Sequence, residues 1–218
     1  MAQWTVSPGR TPTLEHEVRL WAAGYGRVAG LDEAGRGAWA GPVVAAAVIL
    51  PPDEPELARH LAGVRDSKQL TAAQREALLQ VIGGCAVAVG LGAVPPEEID
   101  AIGIVPATRQ AMAQALQAIS PPADYLLIDH LRLPELAIPQ YSLPRGDAQV
   151  LSIAAASIVA KVSRDRMMAG LEERFPGYGL ARNKGYGTAQ HRLALARLGP
   201  SAIHRLSFRP VRDISSIP

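Results

Sequence analysis

The 218-residue chain has one cysteine, Cys85, so no internal disulfide can form, and a reducing compartment is expected. Its N-terminal region shows no charged-then-apolar signal pattern, since Glu15, Glu17 and Arg19 interrupt it early. Its most apolar run, Ala38 to Leu50, is too short to span a bilayer and contains Pro42. A cytoplasmic protein with no membrane association is therefore expected. No Cys/His cluster has zinc-ligand spacing, and neither His191 nor His204 has a metal-ligand spacing. No Ser or Cys sits in a nucleophile elbow. Gly24-Tyr25-Gly26 precedes a strand instead of following one, which excludes a dinucleotide loop. There is no internal repeat and no low-complexity tract.

What is present is ordinary in bulk and uneven in detail. Apolar residues make up 48% and charged residues 19%, enough to bury a core in one domain. The net charge of +2 conceals a split. Residues 161–218 carry 11 Lys/Arg against 4 Asp/Glu, a balance of +7, whereas residues 1–160 carry 11 against 16, a balance of −5. An acidic body with a basic tail suits a metal site beside a phosphate-binding surface. A solvated charged helical face would give the same count.

Residues 1–13 read as a loose segment and 14–218 as a single domain, basic and helical from about residue 161. Leu14 to Ala23 reads as a short amphipathic helix. Strands are expected at Arg27–Leu31, Pro42–Leu50, Cys85–Val94, Tyr125–Asp129 and Ile138–Leu143. Thr71 should cap a helix running to Ile82, with Gly83-Gly84 as its stop. Short helices follow from Pro95 and Pro106, a long buried one spans Ala148–Leu171, and a last one spans Thr188–Leu198. The alternation predicts an α/β domain with a mixed sheet and a helical C-terminal part.

Against this background the carboxylates Asp32, Glu33, Asp129 and Asp147 stand out. Asp32 and Glu33 close the first strand, and neighbours on an ideal strand face opposite ways, so both can serve one site only if the chain bends. Gly35 and Gly37 give that freedom. Asp129 ends Leu126-Leu127-Ile128, at a strand terminus where α/β proteins place their sites. Asp147 precedes the long helix, where an Asp also serves as an N-cap. Converging carboxylates repel unless cations sit between them; two Mg²⁺ would balance four, and hard cations match oxygen donors.

Several runs resemble one family. They are Ala29-Gly30-Leu31-Asp32-Glu33-Ala34-Gly35-Arg36-Gly37 with Ala40-Gly41-Pro42-Val43, Asp66-Ser67-Lys68-Gln69-Leu70, Leu127-Ile128-Asp129 and Gly146-Asp147. Further on come Ala154 to Asp165, Phe175-Pro176-Gly177-Tyr178-Gly179, Lys184-Gly185-Tyr186-Gly187-Thr188, His191 and Ile203-His204-Arg205. In this order, over roughly residues 14–210, they resemble prokaryotic ribonuclease HII.

The resemblance implies a ribonuclease H-like fold: a central mixed five-stranded sheet flanked by helices, plus a C-terminal helical extension. It implies an endonuclease that cleaves RNA in RNA–DNA hybrids and nicks 5′ to ribonucleotides embedded in duplex DNA, using two Mg²⁺ or Mn²⁺ ions and leaving 3′-hydroxyl and 5′-phosphate ends. By resemblance, Asp32, Glu33, Asp129 and Asp147 are catalytic and hold the metals. Gly35-Arg36-Gly37 would read the ribose 2′-hydroxyl, the one group that separates RNA from DNA at a given sugar. Tyr186 would pack on that sugar.

Arg36, Ser67, Lys68, Lys161, Arg164 and Lys184 are candidate substrate contacts, the cations meeting phosphates, which set register and affinity without reading sequence. Lys161 lies roughly 20 Å along the helix that starts near Asp147, so it is a flank contact. Asp165 reads as a structural ion pair. One departure is His130, where the family often has glycine; it would narrow the groove or add a titrating group beside the metals. A monomer is expected. Val211 to Pro218 shows no aromatic pair of the kind a sliding-clamp-binding tail would use. A non-catalytic hybrid-binding module on the same fold would bind without metal-dependent cleavage, and the presence of all four carboxylates argues against it. A ribonuclease HIII would usually carry an extra N-terminal domain, where about 13 residues precede the first expected helix.

Overall fold

The computed structural model describes residues 11–215. Five strands form one sheet: β1 (Val28–Ala34), β2 (Val43–Ile49), β3 (Ala88–Val94), β4 (Tyr125–Asp129) and β5 (Gln140–Leu143). Their order is β3-β2-β1-β4-β5. β1 pairs antiparallel with β2, and β2 with β3, while β1–β4 and β4–β5 are parallel. The sheet is therefore mixed, as expected. All seven residues of β2 are buried, which its unbroken apolar run required of a strand covered on both faces.

Two helices make those covers. On one face α5 (Ile104–Gln117) packs Ala107, Ala111, Met112 and Ala115 against Ala29, Leu31, Ala45 and Ile128. On the other, α6 (Leu151–Arg174) packs Ala154, Ala155 and Ile158 against Ala34, Ala46 and Val48. Its first ten residues are all buried, and small side chains let it lie close to β1. At Gly30 a Cβ would sit 2.2 Å from the carbonyl carbon of Ser152, so only glycine fits there.

The remaining helices among the described residues are α1 (Glu15–Ala22), α2 (Leu57–His60), α3 (Ala72–Cys85), α4 (Pro96–Ile102), α7 (Leu180–Asn183), α8 (Ala189–Leu198) and α9 (Arg209–Ser215). Thr71 caps α3 with a capping box to Gln74. Gly83-Gly84 does not stop this helix, which runs on to Cys85: both glycines keep helical geometry, and the break comes at Ala86, whose backbone is extended. The C-terminal helices enclose a separate small core around Ala40, Met168, Tyr178, Leu180, Leu195 and Ile203.

The N-terminal segment is loose only on paper at its inner end. Residues 1–10 lie outside the described residues, but Thr13 forms a parallel bridge with Val150, its N–H donating to Gln149 O at 3.1 Å and its carbonyl accepting from Leu151 N at 3.0 Å. The Glu17 carboxylate then accepts from Ser152 N at 2.8 Å. These contacts satisfy the first N–H groups of α6, which every helix leaves without internal partners. Asp147 is thereby not the cap of α6, since Val150 precedes the helix and Asp147 lies in a separate 3-10 turn over residues 146–148.

Candidate active site

Asp32 and Glu33 lie inside β1, which extends to Ala34, instead of just beyond its end. Although consecutive on the strand, both belong to one electrostatic cluster, since Glu33 raises Asp32 and Asp129 raises both. The β1–β4 ladder runs from Val28–Tyr125 to Leu31–Ile128, so Asp32 and Asp129 come one step past its last pair. Asp129 is the end residue of β4, and its Oδ1 accepts from Gly146 N at 2.6 Å. That bond ties the turn carrying Asp147 to the end of β4. Three chain segments thus bring four carboxylates to one end of the sheet.

Burial and mutual repulsion mark these groups. Asp32 is held well above the usual carboxylate range, first by burial and then by the charges of Glu33, Asp129 and Asp147; Glu33 N–H, donating to Asp32 Oδ1 at 2.7 Å, offsets part of this. Burial raises Glu33, with Arg36 and Lys68 opposing and Asp129 adding to the rise. Burial also raises Asp129, against the Gly146 hydrogen bond and Lys68. Asp147 is pushed up to about 6 by burial, then by Asp129 and Asp66. A shared interior of anions whose charged forms are all disfavoured is a functional pattern. Glu33 Oε2 is buried without a hydrogen-bond partner. Four hard oxygen donors and an orphaned carboxylate oxygen fit divalent cations of the Mg²⁺ or Mn²⁺ type. Among the described residues no three such side chains already close around one ion position.

A groove of about 590 Å³ opens onto the cluster, lined by Asp129 and Asp147 together with Asp66, Lys68, Arg65 and Arg145. Burial would lower the Lys68 ammonium, but Asp66, Asp147, Asp32 and Asp129 together hold it above its ordinary value. Asp66, Arg65 and Arg145 were not singled out from the sequence. Asp66 had a signal, standing next to Ser67-Lys68 in a matching run; Arg65 and Arg145 had none beyond their charge.

Gly35-Arg36-Gly37 follows β1 as a tight strap. Gly35 has φ +87°, and a Cβ there would lie 1.8 Å from Arg164 Nε, so glycine is required twice over. Two buried arginines hold the carbonyls of the strap and its continuation. Arg205 donates to Arg36 O at 3.0 Å and to Gly41 O through two nitrogens at 3.0 and 2.9 Å. Arg164 donates to Pro42 O, Lys184 O and Ala40 O at 2.9–3.0 Å. Arg36 itself reaches back toward Glu33 at 3.7 Å.

Other candidates fall differently from the expectation. Arg164 is 0% exposed and has all three guanidinium nitrogens on carbonyls, so it supports the strap and cannot meet a phosphate. Ser67 is also turned inward: its hydroxyl accepts from Ser157 Oγ at 2.9 Å, anchoring the 66–70 loop to α6. Lys161 pairs with Asp165 at 2.6 Å, and Lys184, in left-handed backbone, donates to Asp165 O at 3.2 Å. Asp165 does form ion pairs, with Lys161 and Arg75, while its neighbour Arg166 binds Glu76. Tyr186 lies over this region, its ring centre 5.4 Å from the Arg164 guanidinium and 5.7 Å from Lys161 Nζ. His130 has φ +59°, a conformation that favours glycine, and stands exposed, its charge working to lower Glu33 and Asp129.

The family model described as Ribonuclease HII matches residues 29–211. The chain belongs to the ribonuclease HII family. It is 57% identical over 203 residues to a ribonuclease HII of Chloroflexus aurantiacus, covering 92% of this chain and 94% of that one. Among solved structures, ribonuclease H2 of Pyrococcus horikoshii superimposes with a TM-score of 0.74 at 26% identity, over 87% of this chain and 97% of that one. A Bst ribonuclease HIII in complex with Mn²⁺ shares the fold, with a TM-score of 0.69 at 20% identity over 86% of this chain and 68% of that one. The ribonuclease H-like architecture is thereby established, and the protein is an endoribonuclease, a hydrolase. Ribonuclease HII enzymes are endonucleases acting on the RNA of RNA–DNA hybrids and depend on divalent metal. No helix among the described residues is long and apolar enough to cross a membrane.

Proposed function

We propose that the protein, as a monomeric domain over residues 14–218, both cleaves the RNA strand of hybrids and nicks duplex DNA 5′ to an embedded ribonucleotide, leaving 3′-hydroxyl and 5′-phosphate ends. Asp32, Glu33, Asp129 and Asp147 are the residues that hold two divalent ions. Bound there, Mg²⁺ or Mn²⁺ would acidify a water and neutralise charge developing on the phosphate. The chain's own part is to position. Lys68 and Arg36 draw a phosphodiester over the carboxylates, and the main chain of Gly35-Arg36-Gly37 meets the sugar edge carrying the 2′-hydroxyl. Tyr186 packs against that sugar.

The observation that supports this reading is the adjacency of the carboxylate cluster to the segment from Arg36 to Pro42, in which Arg205 holds the carbonyls of Arg36 and Gly41 and Arg164 those of Ala40 and Pro42. A main chain fixed in this way can test for one hydroxyl without a side chain of its own. Replacing Asp32 with Asn and assaying a duplex that contains one ribonucleotide, with Mg²⁺ and Mn²⁺ compared, checks it. The rate should fall at least about a hundredfold, the scale on which precisely placed charges act. Undiminished cleavage by the variant, or equal cutting of an all-DNA duplex by the parent protein, would sink the reading.

A further inference from the structure

His191 and His204 are buried, at 0% and 2% exposure, and neither belongs to the carboxylate site. Their Nε2 atoms lie 3.2 Å apart. The partners at each end determine where the protons are. His191 Nδ1 is 3.0 Å from Tyr186 O, and a carbonyl only accepts, so Nδ1 carries the hydrogen and Nε2 of the neutral ring is a lone pair. His204 Nδ1 is 3.0 Å from Ser201 N, a backbone donor, so it accepts and its own Nε2 carries the hydrogen. The result is one directional chain, from Ser201 N–H to His204, from His204 Nε2–H to His191, and from His191 Nδ1–H to Tyr186 O. It needs both rings neutral. Burial lowers His191, and His204 is held down to about 4 by burial and by His191.

The chain ends on the backbone of the residue assigned to the sugar. Tyr186 O also accepts from Thr188 N at 2.8 Å, and the preceding carbonyl, Gly185 O, accepts from Trp39 N at 2.8 Å, next to the strap. The ring of Trp39 lies 5.9 Å from that of His191. The segment after α8 therefore reaches the substrate surface through two imidazoles.

We propose that His191 and His204 are positioning residues whose hydrogen-bond chain sets the placement of Tyr186 against the ribose, and so the efficiency of cutting at a ribonucleotide. This rests on the reading of Tyr186 as the sugar contact.

Asparagine and glutamine separate a positioning chain from a merely structural pair, because Asn places its amide where imidazole has Nδ1 and Gln where it has Nε2. His191→Asn keeps the donor to Tyr186 O, and His191→Gln loses it. His204→Gln keeps the donor to His191, and His204→Asn loses it while still accepting from Ser201. The measurement is kcat and KM on a duplex with one ribonucleotide, with binding of the matching all-DNA duplex as control. Expected is a crossed order, Asn better than Gln at 191 and Gln better than Asn at 204. The worse variants should lose roughly tenfold or more in kcat, the scale of a small misplacement, with all-DNA binding unchanged. In a Tyr186→Ala background the differences should vanish. The same order at both positions, or losses of equal size in the Tyr186→Ala background, overturns the proposal. If Tyr186→Ala alone leaves cleavage at the ribonucleotide intact, the sugar-contact reading itself has failed.

Discussion

Replacing Asp147 with Asn should make the metal-free protein more stable while removing its activity. Burial and the charges of Asp129 and Asp66 hold Asp147 near 6 instead of 3.8. Between those values the unfolded chain has released the proton and the folded chain still holds it, so stability is full below about pH 3.8 and falls as pH rises through about 6. Above that, the ionised carboxylate costs the fold at most about 3 kcal/mol, at about 1.4 kcal/mol per pH unit, and less where water in the open groove screens it. Asparagine keeps an oxygen able to accept from Ala148 N and removes the charge. For a chain of this size a gain of about 2–3 kcal/mol is roughly 4–12 °C in Tm. The assay is thermal unfolding followed by circular dichroism in EDTA, from pH 4 to 8, on both proteins. The gap should open between pH 4 and 6 and then level off. Saturating Mg²⁺ should raise the parent protein more than the variant, since a cation that binds only the folded state stabilises it by mass action. An Asp147→Asn protein that is no more stable at pH 7.5 without metal, or whose gain is the same at every pH, would refute the reasoning.

Arg164→Met should lower stability by about 2–4 kcal/mol, read from the urea midpoint, because the carbonyls of Ala40, Pro42 and Lys184 lose their donor in a dry site; an unchanged midpoint would show that the guanidinium is not holding them. Two glycine substitutions should go in opposite directions. Gly30→Ala pushes a methyl into the backbone of α6 and should cost about 3 kcal/mol or more, whereas Gly83→Ala, in open space within α3, should stabilise by about 0.5–1 kcal/mol. A destabilising Gly83→Ala would mean that α3 ends where the paired glycines first suggested.

Strand and helix types were legible because they follow from local pattern. The apolar run around Val43–Ile49 required a strand covered on both faces, and α5 and α6 supply the covers. The carboxylates were legible by residue type and by their matching runs. Charge, however, reads the same in a sequence whether its partner is a phosphate or a carbonyl. Arg164 and Lys68 looked alike; one is spent on carbonyls as far as 124 residues away in the chain, and the other faces the groove. Asp147 likewise had two roles open to it. Glu17, 135 residues from Ser152, caps the helix in its place and leaves Asp147 to the site.

By itself, then, the sequence determined the element types, the family and the set of acidic residues, since each depends on short-range periodicity or on residue identity. Only the tertiary structure decided which polar groups are consumed inside and which remain at the surface, and it alone joined His191 and His204 to Tyr186. Burial and hydrogen-bond pairing between distant segments are properties of the packed chain, and no local pattern encodes them.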